Sequence, residues 1–200
     1  MSKQWFTSDL HMCHSNIITF CQRPFANVDE MNEALINNHN SVVSPDDEVF
    51  ILGDFSFDRK GDRTKAIFER LAGKKILVQG NHDHRITLDL PWVSKHHILE
   101  QKIGNDLVVM CHFPMKSWSG SHTGSLHLHG HSHGTMQGTS QSVDCGVDMW
   151  DWTPRELHEL KRHMATLPKY EEKNQILTHY KDRPENKLTV SVDPGSLNQR

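Results

Sequence analysis

The sequence predicts an α/β fold in which mixed β-sheets form a sandwich flanked by helices, and three observations carry that prediction. Short runs that are apolar at every position recur along the chain and end in or beside glycine. Between the early runs lie amphipathic segments of helical period. Each run leads straight into a polar loop bearing Asp, Asn or His. A continuous apolar run is a strand buried on both faces, and strands alternating with helices build parallel βαβ units. The later strands lack helices between them, so the sheets are expected to be mixed.

In order, residues 4–9 (QWFTSD) read as a strand that opens into a His-bearing loop at 10–16. Residues 29–40 place Met31, Leu35 and Ile36 at helical spacing behind an acidic first turn, and a turn at 44–47 follows. Residues 49–52 (VFIL) form a second strand ended by Gly53. Residues 63–71 form a helix capped by Gly73, and 75–79 a third strand ended by Gly80. Strands at 106–111 and 125–129 lead into His112 and into the run Gly130-His-Ser-His133. At Thr153-Pro-Arg-Glu156 the pattern is a helix start, with Pro154 at the first position and Glu156 completing a capping box, and the helix should reach His163. The polar, Pro-broken stretch 168–200 holds one β-like run at 188–192 and is expected to be an edge strand or a mobile tail.

Residues 1–200 are expected to form a single domain, large enough to bury roughly two thirds of its unfolded surface. The longest apolar runs fall far short of the ~20 residues that span a bilayer. The opening residues lack a basic segment followed by an apolar core, so a cytoplasmic location is expected. Four cysteines without a Cys-x-x-Cys pair read as free thiols. A net charge of -3 supplies no broad basic field, which argues against strong non-specific binding to nucleic acid and for a small substrate. Oligomeric state is left open. One compositional feature is abnormal: 16 histidines crowded into short clusters.

Five loops that follow strands carry Asp, Asn and five of those histidines: Asp9-x-His11, Gly53-Asp54, Gly80-Asn-His-Asp83, Cys111-His112 and Gly130-His-x-His133. Carboxylate oxygen and neutral imidazole nitrogen suit Zn, Mn, Fe or Ni. Strand ends lie side by side in a sheet, so loops distant in sequence can converge on one edge. A pair of close metals needs a bridging ligand, and Asp54 is the natural one.

The five blocks, in this order over residues 9–133, resemble the signature of the calcineurin-like metallophosphoesterase superfamily. The resemblance implies a β-sandwich flanked by helices and two divalent metal ions (Mn, Ni, Zn or Fe). Asp9, His11, Asp54 and His133 would hold the first ion, and Asp54, Asn81, His112 and His131 the second. A hydroxide bridging the ions would attack phosphorus, His82 would serve the leaving oxygen as catalytic acid, and Asp83 would orient the His82 imidazole. The implied substrate is a small phosphodiester or phosphomonoester, with a nucleotide among the candidates. The block beginning at Gly53 is one residue longer than in the Ser/Thr protein phosphatases, and the third block ends in Asp83 where theirs ends in Glu. The chain is therefore more similar to small bacterial and phage members. Two alternatives are a metal-binding scaffold for a protein partner and a nuclease for short or single-stranded nucleic acid.

Other residues carry weaker expectations. His14 and Asn16 would contact phosphate or a further ion, or merely be solvated. Arg23 is expected on the surface rather than clamping phosphate. His84, Arg85, Lys116 and Trp118 could line the substrate pocket. His127 and His129 share one strand face, and His96-His97 is expected to be exposed.

Overall fold

A computed structural model describes residues 2–58 and 60–171. Contacts divide the chain into Met1–Tyr170 and Glu171–Arg200, and the elements among the described residues belong to the first unit. The strand expected at 188–192, and all of the 168–200 stretch beyond Glu171, lie outside the described residues.

The first sheet contains β1 (Gln4–Thr7), β2 (Glu48–Ile51), β3 (Lys74–Val78), β4 (Ser94–His96) and β9 (Arg155–Glu156), in the order β4-β3-β2-β1-β9. Its first four strands are parallel, and β9 is antiparallel to β1. The second sheet has the order β5-β6-β7-β8, from β5 (Ile98–Ile103), β6 (Asp106–Cys111), β7 (Leu126–His129) and β8 (Ser142–Asp144). There β5 and β6 are antiparallel, while β6, β7 and β8 run parallel. The expected mixed α/β sandwich is the observed architecture.

Alternation along β1, β2 and β3 explains their unbroken apolar runs. Trp5, Val49, Ile51 and Leu77 face one core with Met31, Leu35 and Ile36 of α2 (Val28–Val42) and Ile67 and Phe68 of α3 (Asp62–Arg70). Phe6, Phe50, Leu52, Ile76 and Val78 face the other core, with Val108, Met110, Leu126, Leu128 and Val143 of the second sheet. Leu157, Leu160 and Met164 of α5 (Leu157–Met164) join this second core. Successive side chains of a strand point to opposite faces, so a sheet covered on both sides needs apolar residues at every position.

One boundary differs from the expectation. Arg155 and Glu156 pair with Phe6 and Trp5 as strand β9, so α5 begins at Leu157 and its capping box joins Glu156 to Glu159. Backbone pairing along the open edge of β1 takes precedence over a helix start at Pro154. α1 (Ser15–Phe20), α4 (Arg85–Leu88), β4, β5 and β8 are short additions without a strong sequence pattern. His96 pairs with Ser94 through its Nε2 and is half-buried, whereas His97 is exposed as expected.

Two structural histidines set a pH limit on stability. On α2, His39 Nε2 donates to the Ala72 carbonyl, and burial pushes its pKa down to about 4. On β7, His127 donates from Nδ1 to Val109 O and accepts the Met115 N–H at Nε2. Burial, with the neighbouring His129 charge, likewise lowers it to about 4. Both folded values lie below the unfolded value near 6.5, so the unfolded chain takes up protons first. The contribution is complete above about pH 6.5 and is lost as pH falls toward 4, at roughly 1.4 kcal/mol per pH unit for each histidine. Denaturant unfolding of metal-stripped protein at pH 7 and pH 5 should show this slope, and His39→Leu should lose one histidine's share of it. An unchanged slope in that variant would contradict the account.

Candidate metal centre

Because β1, β2 and β3 are parallel, their C-terminal ends lie at one edge of the first sheet and present Asp9, Asp54 and Asn81 there. The parallel strands β6 and β7 present His112 and His131 at the matching edge of the second sheet. Backbone hydrogen bonds extend beyond the strands and lock the loops together: Asp9 N–H to Gly53 O (3.0 Å), His11 N–H to Asp54 O (2.9 Å) and Gly130 N–H to His112 O (3.0 Å). Gly53 has φ +93°, and a Cβ there would collide with the His112 ring and the Gly80 backbone. Two loop backbones touch at this point, which only glycine permits.

Five expected ligands hold left-handed backbone: Asp9 (φ 54°), His11 (49°), Asp54 (54°), His131 (69°) and His133 (47°). Asp and His adopt this region more readily than most residues, yet each instance costs about 1 to 3 kcal/mol and persists only where the surroundings enforce it. The strain falls on the positions that aim side chains into a common space.

Within that space, ligand atoms of Asp9, His11 and His133 lie within 4.8 Å of one another, as do those of Asp9, Asp54 and His112. Asp54 Oδ1 accepts the His82 N–H (2.8 Å), while Oδ2 stands 3.6 Å from His11 Nε2 and 3.5 Å from His112 Nε2. Asp9 Oδ2 accepts the His131 N–H (2.9 Å), and His133 Nε2 lies 3.9 Å from Asp9 Oδ1. Asn81 and His131 are the exposed members of the group, with Asn81 Oδ1 2.9 Å from His112 Nε2 and the His131 ring 5.1 Å from that of His112. All seven expected ligands thus converge at one place.

The donor set fits divalent cations. Asp9 Oδ1 and His11 Nε2 are buried without a hydrogen-bond partner, which is costly for a polar group unless something else satisfies it. His112 commits its Nδ1 proton to Leu52 O (2.7 Å), so Nε2 and Asn81 Oδ1 face each other as two lone-pair donors. Burial, together with the charges of Asp144 and Asp54, raises Asp9 to about 8 against the pull of His133. Burial, helped by the charges of His133 and Arg23, lowers His11 to about 2. A carboxyl that resists ionising and an imidazole that resists protonating are what a buried ligand set shows until a cation supplies the positive charge.

The sequence model of the calcineurin-like phosphoesterases matches residues 2–191. The chain belongs to this family. Over 84 residues it is 44% identical to an uncharacterised protein of Methanocaldococcus jannaschii, spanning 42% of this chain and 48%, about half, of that one. The gene 66 protein of Mycobacterium phage L5 is 28% identical over 82% of this chain and 96% of its own length. Among solved structures, a protein of unknown function from Aquifex aeolicus superposes with a TM-score of 0.65 at 20% identity, covering 82% of this chain and all of that one, and so shares the fold. No helix among the described residues is long and apolar enough to cross a membrane.

Three expectations around the centre are corrected. Asp83 does not orient His82: its Oδ2 accepts N–H from Gly80 (2.8 Å) and Asp54 (2.9 Å), and its Oδ1 accepts that of Phe55 (2.9 Å). Burial raises its pKa while these backbone donors oppose the rise, and the buried carboxylate ties the β2 and β3 loops together. Arg23 is buried rather than on the surface. It forks onto Asp148 (2.9 Å to each oxygen) and donates to the carbonyls of Asp9 (2.8 Å) and Leu10 (3.0 Å). Trp118 is buried too, with Nε1 donating to Ser125 Oγ (3.0 Å) and its ring against His127 and Tyr170.

Asp148 is the residue that sequence reasoning missed. Its Oδ2 accepts the proton of His133 Nδ1 (2.8 Å), which fixes the tautomer and turns Nε2 toward Asp9. Burial pushes its carboxyl up, but the His133 hydrogen bond and the Arg23 charge hold it below the usual carboxylate range. His14 sits one ring behind His11, with Nδ1 atoms 3.2 Å apart, and stacks on Phe57 at 4.0 Å.

Proposed function

We propose that the chain hydrolyses a small phosphodiester or phosphomonoester, with a nucleotide among the candidates, at two divalent cations. Asp9, His11, Asp54 and His133 would form one ligand set, and Asp54, Asn81, His112 and His131 the other. The observation that supports this most is Asp54 Oδ2, a carboxylate oxygen lying between the imidazoles of His11 and His112, as a shared ligand would. When bound, such a pair of cations supplies a nucleophile at neutral pH and draws charge from the phosphoryl oxygens.

The chain's own groups do the rest. The His82 N–H holds the Asp54 carboxylate in place. Its imidazole is half-buried, lies with its centroid 5.6 Å from that of His11, and has no hydrogen-bond partner among the described residues. It is therefore free to carry a proton for the leaving oxygen. Asn81, exposed at the mouth, offers an amide to orient phosphate. Asp83 keeps this arrangement rigid through the backbone, without touching substrate. We take residues 1–200 as one catalytic domain, a reading that the family match to residue 191 supports. Four free cysteines suit a reducing, cytoplasmic setting.

The deciding assay compares bis-p-nitrophenyl phosphate with p-nitrophenyl phosphate, using metal-stripped protein to which Mn, Ni, Zn or Fe is restored. Turnover should depend on metal, and the preferred ester identifies diester or monoester chemistry. His82→Ala should keep its metal yet lose roughly 10²- to 10⁴-fold in kcat, the usual worth of a positioned acid. Metal lost and rate kept in that variant would overturn the role of His82. Stoichiometric metal binding without turnover on either ester would favour the scaffold reading instead.

A further inference from the structure

A cavity of about 300 Å³ opens beside the metal centre, lined by Ser56, Phe57, Asp58, His82, His84, Ile86 and Thr87. It has the size of the smaller ligand pockets. His82 belongs to both places: its N–H holds Asp54, and its ring lies 4.9 Å from that of Phe57 in the cavity wall. A group attached to the oxygen that His82 serves would therefore pass directly into this space.

The chemistry of the wall says what kind of group. Ser56 Oγ is engaged with Met12 O (3.1 Å) and Thr64 Oγ1 (2.7 Å). Asp58, the one acidic residue of the lining, accepts the N–H groups of Lys60, Gly61, Arg63 and Thr64 at the start of α3. Those backbone donors outweigh the effect of burial and hold its carboxyl below its ordinary pKa, so it is fully committed to the helix end. The Thr87 carbonyl is taken by Trp92 Nε1 (2.7 Å). What the wall still offers is flat or apolar surface: the ring of Phe57, the imidazoles of His82 and His84, and the side chain of Ile86. A second phosphate or a carboxylate would lose its hydration there and meet the like charge of the Asp58 carboxylate. A flat uncharged ring would exchange water for aromatic contact.

The geometry points to this cavity as the subsite for the leaving-group side of the ester, selective for a flat, uncharged ring, such as an aromatic alcohol or a nucleobase, over a short alkyl group. The inference rests on the phosphoesterase reading above and gives it a substrate class.

Inert phosphonates test it without turnover. Inhibition constants of phenylphosphonate and methylphosphonate, measured on the metal-loaded protein, should differ by about tenfold in favour of the phenyl compound. Ile86→Trp fills the cavity, and Phe57→Leu removes the ring from its wall. Each should abolish most of that preference through weaker phenylphosphonate binding, with metal affinity by calorimetry unchanged. Two variants of opposite size guard against a folding defect in either. A phenyl-to-methyl ratio near one in the wild type, or a ratio that survives in both variants, overturns the subsite. Failure of both phosphonates to bind a protein that has taken up its metals would instead count against the phosphoesterase reading itself.

Discussion

Asp54→Asn is expected to leave the fold intact, to cut bound metal below two ions per chain and to lower turnover by more than about 100-fold. Replacing groups that merely orient metal ligands costs about 10- to 100-fold, and loss of a shared ligand should exceed that. The substitution is chosen because the two carboxylate oxygens do different things. Oδ1 accepts the His82 N–H, and the asparagine carbonyl oxygen can still accept it, though less strongly, so the loop retains its anchor. Oδ2 faces His11 and His112, and there an amide nitrogen presents hydrogens to the space a cation would occupy. The side chain is buried and packed beside Gly80, so a volume-matched change also avoids opening a void. Metal content by elemental analysis, circular dichroism and the nitrophenyl ester assay together check the prediction. Full metal content with wild-type turnover would remove Asp54 from the site.

This experiment probes the part of the molecule that its sequence made most legible. Strand ends in a parallel sheet converge by topology, so the loops after β1, β2 and β3 had to meet at one edge of the first sheet and those after β6 and β7 at one edge of the second, whatever their separation in the chain. The left-handed backbone at Asp9, His11, Asp54, His131 and His133 was not legible, because it is imposed by the neighbouring loops rather than by local propensity. The role of Asp83 was misread for a related reason. Adjacency to His82 suggested a carboxylate aimed at an imidazole, but the turn directs Asp83 inward to the N–H groups of Gly80, Asp54 and Phe55, where a buried carboxylate satisfies three backbone donors at once. The cavity beside His82 was only partly legible. His84 was an expected lining residue, whereas Phe57 and Ile86 reach the wall through loop geometry that no motif encodes.

The unit that no motif announced should produce the largest stability effect. Arg23 follows α1, Asp148 follows β8, and neither lies in any of the five blocks, yet their side chains are 0% and 8% exposed and joined by two 2.9 Å bonds. Arg23→Met should destabilise the protein by about 3 to 5 kcal/mol, because it strands the Asp148 carboxylate in the interior without its counter-charge. It also removes two donors from the Asp9 and Leu10 carbonyls. Asp148→Asn should act differently. The amide oxygen can still accept the His133 proton, but the negative charge that makes Nε2 a better ligand is gone, so metal affinity should fall roughly 10- to 100-fold. Calorimetric metal titration and denaturant unfolding of the two variants separate the effects. If Asp148→Asn binds metal as tightly as the wild type while His133→Ala does not, the carboxylate only supports the fold. If His133→Ala also binds normally, His133 is not a ligand, and the Arg23-Asp148-His133 line serves stability alone.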